Sequence, residues 1–133
     1  PRTAATFFAM LRRRFNVGIA CEAGHGSGFT PRAEELWQRH AIARVAADPP
    51  VPEGASREPG GDTHVRYWRW HGAPRVYYSA YDDDALRSLA GAMRSARGTR
   101  WAIFDNTAHG HAVTDAARLQ AMTKATSTRR TSA

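Results

Sequence analysis

The chain has 133 residues, of which 42% are hydrophobic and 23% charged, and its formal net charge is +7. This length fits one domain with a modest core and is short of the roughly 200 to 250 residues of a complete eight-stranded β/α barrel. The sequence has no run of 18 apolar residues and no signal-peptide pattern, so we expect a soluble, cytoplasmic chain without a membrane partner. Its single cysteine, Cys21, excludes an intrachain disulfide.

The positive charge comes from 18 arginines and a single lysine, Lys124. Such a bias is typical of a GC-rich genome and needs no selection for a partner. A nucleic-acid-binding surface fits the charge, but the arginines are scattered along the whole chain. The net charge alone therefore indicates no particular ligand.

The first half of the chain alternates between predicted helices and strands. Apolar residues at helical spacing predict a helix over Ala4 to Arg14. A short strand is predicted over Asn16 to Glu22. Thr30 then caps a helix that is predicted over Pro31 to about His40, with proline at its first position. Ile42 to Ala47 is the second predicted strand.

The second half repeats this alternation after a long loop. Pro49 to Asp62 is rich in proline and glycine and shows no periodicity, which predicts an irregular connection. A strand begins at about Arg66. The remaining predicted elements are a helix from the acidic residues 82–84 to Gly98, a strand over Arg100 to Asn106, a helix over His111 to about Lys124, and a disordered tail at 125–133.

The stretch from Arg66 to Tyr81 is unusually dense in aromatic and basic residues. Strand alternation puts Arg69 and His71 on one face and Trp68 and Trp70 on the other. A basic pair at the end of a buried strand is typical of the anion-handling groups in barrels and other α/β enzymes.

Strand–helix alternation with this spacing predicts an α/β fold of parallel strands wrapped by helices. In the first strand, Gly18 and Ala20 give one face small side chains, and Glu22 follows them at the strand end. Small residues before a terminal carboxylate suit the interior of a barrel that opens at its rim.

Polar residues lie at the carboxyl ends of the predicted strands: Glu22, Asp48, His71 and either Asp105 or Asn106. In a barrel these ends converge on one mouth. We therefore predict two catalytic residues, His71 and Glu22, acting as general acid or base. The predicted ligand-binding residues are Arg69, Arg75, Tyr77, Asp48 and Asn106, which suit an anionic, phosphate-containing or nucleic-acid ligand. The alternative stays open that Arg69, Glu22 and Asp48 form a buried ionic network that only stabilises the fold.

Metal binding is a separate question, because the histidines and carboxylates include ligand types that zinc and manganese use. His109 and His111 form an H-x-H pair, but no HExxH motif or cysteine pair supports it. We therefore predict no metal and no cofactor.

Three ordered blocks resemble the YecE-like family (domain of unknown function 72). Residues 69–75 and 77–81, RWHGAPR and YYSAY, resemble its R-(L/W)-H-G-(S/A)-P-R and Y-Y-S-x-Y signature. Residues 22–29 resemble its E-x-R-H-x-S-W-F block, and residues 104–112 its F-D-N-T…G-x-A block. The resemblance implies a TIM-type barrel of which this chain is the C-terminal half, with residues 1–124 as a partial barrel domain. It implies no settled activity, so whether the chain is an enzyme stays open.

Two departures from the family pattern affect the site: Gly24 and Gly28 stand where the family has arginine and tryptophan. One hypothesis is therefore a half-barrel that binds or hydrolyses an anionic ligand at the mouth. The alternative is a non-catalytic, truncated remnant of such a barrel. An open half-barrel has two unpaired edges, the strands that begin at Asn16 and Arg100, and such edges predict self-association.

Overall fold

The computed structural model describes residues 2–125, without the side chains of Arg2 and Ala125. The elements are α1 (Arg2–Arg14), β1 (Ile19–Cys21), α2 (Pro31–Arg39), β2 (Ile42–Arg44), β3 (Ala46–Asp48), β4 (Gly60–Gly61), β5 (Val65–Trp70), α3 (Asp83–Ser95), β6 (Thr99–Phe104) and α4 (His111–Ala125). This order confirms the predicted alternation of helices and strands. The predicted tail lies outside the described residues, apart from Ala125 at the end of α4.

Two helices begin at the residues that the sequence indicates. The Thr30 hydroxyl accepts a hydrogen bond from the Ala33 N–H at 3.2 Å, and Pro31 follows as the first helical residue of α2. The Asp82 carboxylate accepts one from the Ala85 N–H at 2.8 Å and begins α3. Within residues 2–125, every helix is too short or too polar to cross a membrane.

The strands form two three-stranded sheets, in the orders β1–β2–β4 and β3–β5–β6, and the chain runs from one to the other through Val45. β1 pairs with β2, β3 pairs with β5, and β5 pairs with β6, all in parallel. β2 and β3 are separated only by Val45, so together they occupy one strand position. The order is thus β1, β2/β3, β5, β6, and within the described chain β1 and β6 each have a parallel neighbour on one side only. The predicted parallel strands are confirmed.

The short strand β4 lies inside the loop that we expected to be irregular. Its two glycines pair antiparallel with β2, and Gly61 has a φ of +70°. A backbone in this left-handed region favours glycine. A pair of glycines gives no alternation of apolar and polar residues, which is why the periodicity did not predict this strand.

The two faces of the sheet have different surroundings. On the outer face, Trp68 packs with Leu86 and Leu89 of α3 and with Leu119 of α4 in the larger core. A second core joins α1, α2 and β2 through Phe8, Trp37 and Ile42. The inner face of β5 and β6 has no such cover among the described residues, and Trp101 on that face is 52% exposed.

Candidate functional site

Four charged or titratable side chains meet where the strands end: Glu22 after β1, Arg69 and His71 at the end of β5, and Asp105 after β6. The Arg69 guanidinium donates from Nη1 to Glu22 at 3.1 Å and from Nη2 to Asp105 at 2.8 Å. Residues that are 36 and 47 positions from Arg69 in sequence thus contact one side chain. We call Glu22, Arg69, His71 and Asp105 the inner cluster.

His71 lies between the two carboxylates of the inner cluster. Its Nδ1 is 2.9 Å from the Asp105 carboxylate, and its Nε2 is 3.3 Å from Glu22. The ring is buried, while both carboxylates are partly exposed. A neutral imidazole carries a hydrogen on one nitrogen only, so it donates to one carboxylate at a time. The ring nitrogens can therefore exchange a proton with either carboxylate, which suits general acid–base catalysis.

Arg69 supplies the fixed positive charge of the cluster. Burial opposes its charged form, but the hydrogen bond to Glu22 and the charges of Asp105 and Glu22 together raise the pKa of Arg69 above its ordinary value. Two of its five N–H donors bind carboxylates, and its side chain is 42% exposed. Since one guanidinium serves two carboxylates, Arg69 adds no surplus positive charge to the mouth.

The surplus cation comes from the loop after β5. Arg75 is exposed, and its guanidinium carbon lies 4.0 Å from the centre of the Tyr78 ring. The His109 ring approaches the same tyrosine edge-on at 5.4 Å. Tyr77 is half exposed, and its ring lies edge-on to His71 at 6.0 Å. The loop therefore carries an exposed cation stacked on Tyr78 and places the Tyr77 ring beside His71 of the inner cluster.

Gly72 allows this loop to fold tightly over the strand end. Its φ is +97°, and a Cβ at this position would lie 2.9 Å from the Ser79 carbonyl oxygen. The Tyr77 N–H donates to the His71 carbonyl at 2.6 Å and closes the turn. The position of Tyr77 next to His71 thus depends on the glycine that follows the histidine.

Asp48 differs from our expectation, because its side chain does not face His71. It shares a register position with Trp70, so alternation turns it to the outer face of the sheet. There it accepts a hydrogen bond from the Tyr81 hydroxyl at 2.9 Å and forms an ion pair with Arg57. The structure therefore separates Asp48 from the other predicted mouth residues.

Asn106 also lies away from the inner cluster. Its side chain is fully buried and donates to the Ser79 carbonyl at 2.9 Å and to Asp115 at 2.8 Å. Asp105 is the residue of this pair that reaches Arg69 and His71. The sequence named Asp105 only as an alternative, considered His109 only as a metal ligand, and assigned no role to Tyr78.

The same outer face holds a second polar group, which we call the outer network: Asp48, Tyr81, Asn106 and Asp115. The Tyr81 hydroxyl accepts from the Gly72 N–H at 2.9 Å, and Asp115 accepts from the Tyr81 N–H at 3.0 Å. Burial and then the neighbouring Asp48 charge raise the pKa of the Tyr81 phenol. These bonds join the loop after β5 to α4.

The two glycines that depart from the family pattern have different surroundings. A Cβ at Gly24 would have open space around it, so the site tolerates a side chain there. A Cβ at Gly28 would lie 2.6 Å from the Ala23 Cβ, and the Gly28 carbonyl accepts from the Trp37 indole at 2.9 Å. A tryptophan at 28 would need this segment to move, whereas an arginine at 24 would not.

Among residues 2–125, no three histidine, cysteine, aspartate or glutamate side chains are arranged to hold a metal ion. His25 bonds locally with Ser27. The His109 and His111 rings lie 6.1 Å apart at the mouth.

A comparison with models of known protein families identifies the family of this chain. The model of a family described as protein of unknown function DUF72 matches residues 2–133. The chain belongs to this family. The resemblance drawn from the three sequence blocks is thereby confirmed. No curated protein matches the chain.

Solved structures of DUF72 family proteins share its fold. One from Thermotoga maritima MSB8 has a TM-score of 0.74 at 22% identity, covering 92% of this chain and 52% of that chain. One from Enterococcus faecalis V583 has a TM-score of 0.74 at 17% identity, covering 92% of this chain and 54% of that chain. The chain thus spans about half the length of these DUF72 proteins. Identities this low show the fold and no activity.

Proposed function

We propose that this DUF72 chain binds an anionic ligand at the carboxyl ends of its strands, either a small phosphate compound or a nucleic acid. Arg75 and the exposed edge of Arg69 contact the anionic group, and Tyr77 forms a wall of the site. His71 and Glu22 are the acid–base pair, and Asp105 orients the imidazole. The observation that carries the proposal is the buried His71 between two carboxylates, at the start of the loop that carries the exposed Arg75.

Charge and shape support this choice of ligand. Arg75 already lies over the face of Tyr78, and guanidinium–aromatic platforms bind both phosphates and stacked bases. A phosphate group has enough acceptor oxygens to bind both guanidinium groups at once.

The inner cluster also suits hydrolysis of a phosphate ester. Glu22 would accept a proton from the attacking water, whose oxygen forms the new P–O bond. The imidazolium form of His71, with its Nδ1–H bonded to Asp105, would donate its Nε2 proton to the leaving oxygen as the old P–O bond breaks, and the proton taken up by Glu22 would then return to Nε2. Asp105 holds the Nδ1 side of the ring, so that Nε2 faces the reaction.

Ligand binding is tested by following the His71 ring signals by NMR during titration with inorganic phosphate and with a short single-stranded oligonucleotide. We expect saturable shifts and an affinity loss of about tenfold or more in Arg75→Ala and in Arg69→Ala, because a charge-assisted bond contributes about 1.5–3 kcal/mol. Arg87→Ala is the matched control. Arg87 is an exposed arginine that pairs with Asp83 and Asp84 on α3, and its loss should leave the affinity unchanged.

A second candidate is a non-catalytic barrel remnant in which the inner cluster only stabilises the fold. One observation favours it: the structure pairs Arg69 with both carboxylates inside the cluster. In that case neither phosphate nor oligonucleotide shifts the His71 signals, and Arg69→Ala changes the unfolding midpoint alone. That pair of results would contradict the proposed ligand site.

A further inference from the structure

The inner face of the sheet is uncovered within the described chain, and it is apolar below the charged Glu22 and Arg69 that line the same hollow. Trp101 and Ile103 of β6 are 52% and 36% exposed, and they line one hollow with Val65 and Tyr67 of β5. Single exposed apolar residues are ordinary on a protein surface, but a continuous patch on a sheet face marks an interaction site. We call these four residues the open face.

The strands that border the hollow leave backbone groups without a ladder partner. β6 is six residues long and pairs only with β5 among the described residues, and β1 on the opposite side pairs only with β2. Both strands run in the same direction, since the β1–β2, β3–β5 and β5–β6 pairings are parallel and β2 continues into β3. An unpaired edge next to an apolar face readily accepts a strand from another chain.

Exposed apolar residues also precede β1 along the chain. α1 buries Phe8 but leaves Phe7 and Met10 exposed, and Phe15 and Val17 are exposed in the segment that enters β1. Phe7 and Met10 are three residues apart, so they lie on one side of α1. Apolar side chains are thus exposed both ahead of β1 and on β6.

We propose that a second copy of this chain covers the open face, with the β6 edge of each copy against the β1 edge of the other. Four parallel strand positions are half of the eight that close a β/α barrel, so two copies related by a 180° rotation along the strand direction close the ring. The contact joins unlike edges, and closure after two copies prevents open-ended growth.

A rotation about the strand direction keeps the carboxyl ends of all eight strands on one side. Both inner clusters then lie at the same mouth, although the dimer does not depend on any ligand there.

The test is the molar mass of the full chain in solution, measured by size-exclusion chromatography with light scattering across a dilution series. We expect twice the 14.7 kDa chain mass at micromolar concentration. Trp101→Lys and, separately, Ile103→Lys should raise the dissociation constant by at least about tenfold, because each puts a charge in the apolar contact. Val51→Lys changes an exposed valine in the loop after β3 and should leave the mass unchanged.

Circular dichroism checks that each lysine variant keeps the helical content of the parent chain. Both changed positions are exposed, so we expect the folded structure to persist in each. A parent chain that stays monomeric at 100 µM, a concentration chosen far above the expected dissociation constant, overturns the proposal. So does a dimer that survives both lysine substitutions in folded protein.

Discussion

The inner cluster and the outer network are built from similar residue types at the same strand ends, yet their surroundings differ. In the inner cluster, Glu22, Asp105 and Arg69 are partly exposed. In the outer network, Asp48, Asn106 and Asp115 are buried under helices. Adjacent residues separate into the two groups because strand alternation sends Asp105 inward and Asn106 outward.

This difference in burial indicates which of the two groups of polar residues stabilises the fold. Each outer side chain bonds to backbone or side-chain groups of another segment, so its loss leaves buried partners unsatisfied. Glu22, Arg69 and Asp105 bond mainly within the inner cluster and are partly exposed, so their loss costs less stability. Polar residues that the fold does not need for stability are the better candidates for ligand binding.

We expect the largest loss of stability from Asp115→Ala, in the outer network. This carboxylate accepts from the Tyr81 N–H, from the Asn106 amide and from Arg118 at 3.0 Å, and its side chain is almost wholly buried. Leaving these donors unpaired should lower the free energy of unfolding by about 3–5 kcal/mol. Urea unfolding followed by circular dichroism measures it. Asp115→Asn keeps one acceptor oxygen and should cost clearly less; equal costs would contradict the hydrogen-bond explanation.

Tyr81→Phe should have an intermediate effect, about 1–3 kcal/mol, because the Gly72 N–H and Asp48 lose their partner. Burial raises the pKa of Tyr81 in the folded chain. Its contribution is therefore complete below the unfolded value of about 10 and is lost as pH rises through the folded pKa.

Unfolding measurements from pH 8 to 11, a range chosen to span that value, test the tyrosine directly. Above about pH 10 the parent chain should lose up to about 1.4 kcal/mol per pH unit more than the phenylalanine variant. Parallel pH profiles for the two proteins would show that Tyr81 ionises as easily folded as unfolded, and the buried outer network would then be the wrong description.

The smallest stability effect is expected in the inner cluster from Glu22→Gln. Glu22 is partly exposed, and its pairs with Arg69 and His71 lie near solvent, so the change should be under about 1 kcal/mol. The same variant should abolish any hydrolysis, because Gln cannot accept the proton. A stability loss as large as that of Asp115→Ala would remove the distinction between the two groups.

The sequence predicted the local structure well because its signals act over a few residues. Thr30 and Asp82 cap helices through their own neighbours, and alternation along β5 put Arg69 and His71 on one face. The family relationship was also predictable, since the residues around His71 and Asp105 carry a specific pattern.

The composition of the inner cluster was only partly predictable. Choosing Asp105 over Asn106 requires the register between β5 and β6, which no short stretch of sequence contains. Asp48 was placed at the mouth because a strand ends there, although alternation from Ala46 would have turned it outward with Trp68. The end of a strand fixes how far along the sheet a side chain lies. The alternation of residues along that strand decides which face of the sheet the side chain is on.

The distribution of the four tryptophans has a spectroscopic consequence. Trp37 and Trp68 are buried in the two cores, Trp70 is partly buried against Tyr81 at 4.4 Å between ring centres, and Trp101 is exposed on the open face. The emission of the single folded chain should therefore contain one red-shifted component that acrylamide quenches readily, and covering the open face should remove it. That component belongs to Trp101, so the chain carries its own optical reporter of whatever covers this face of the sheet.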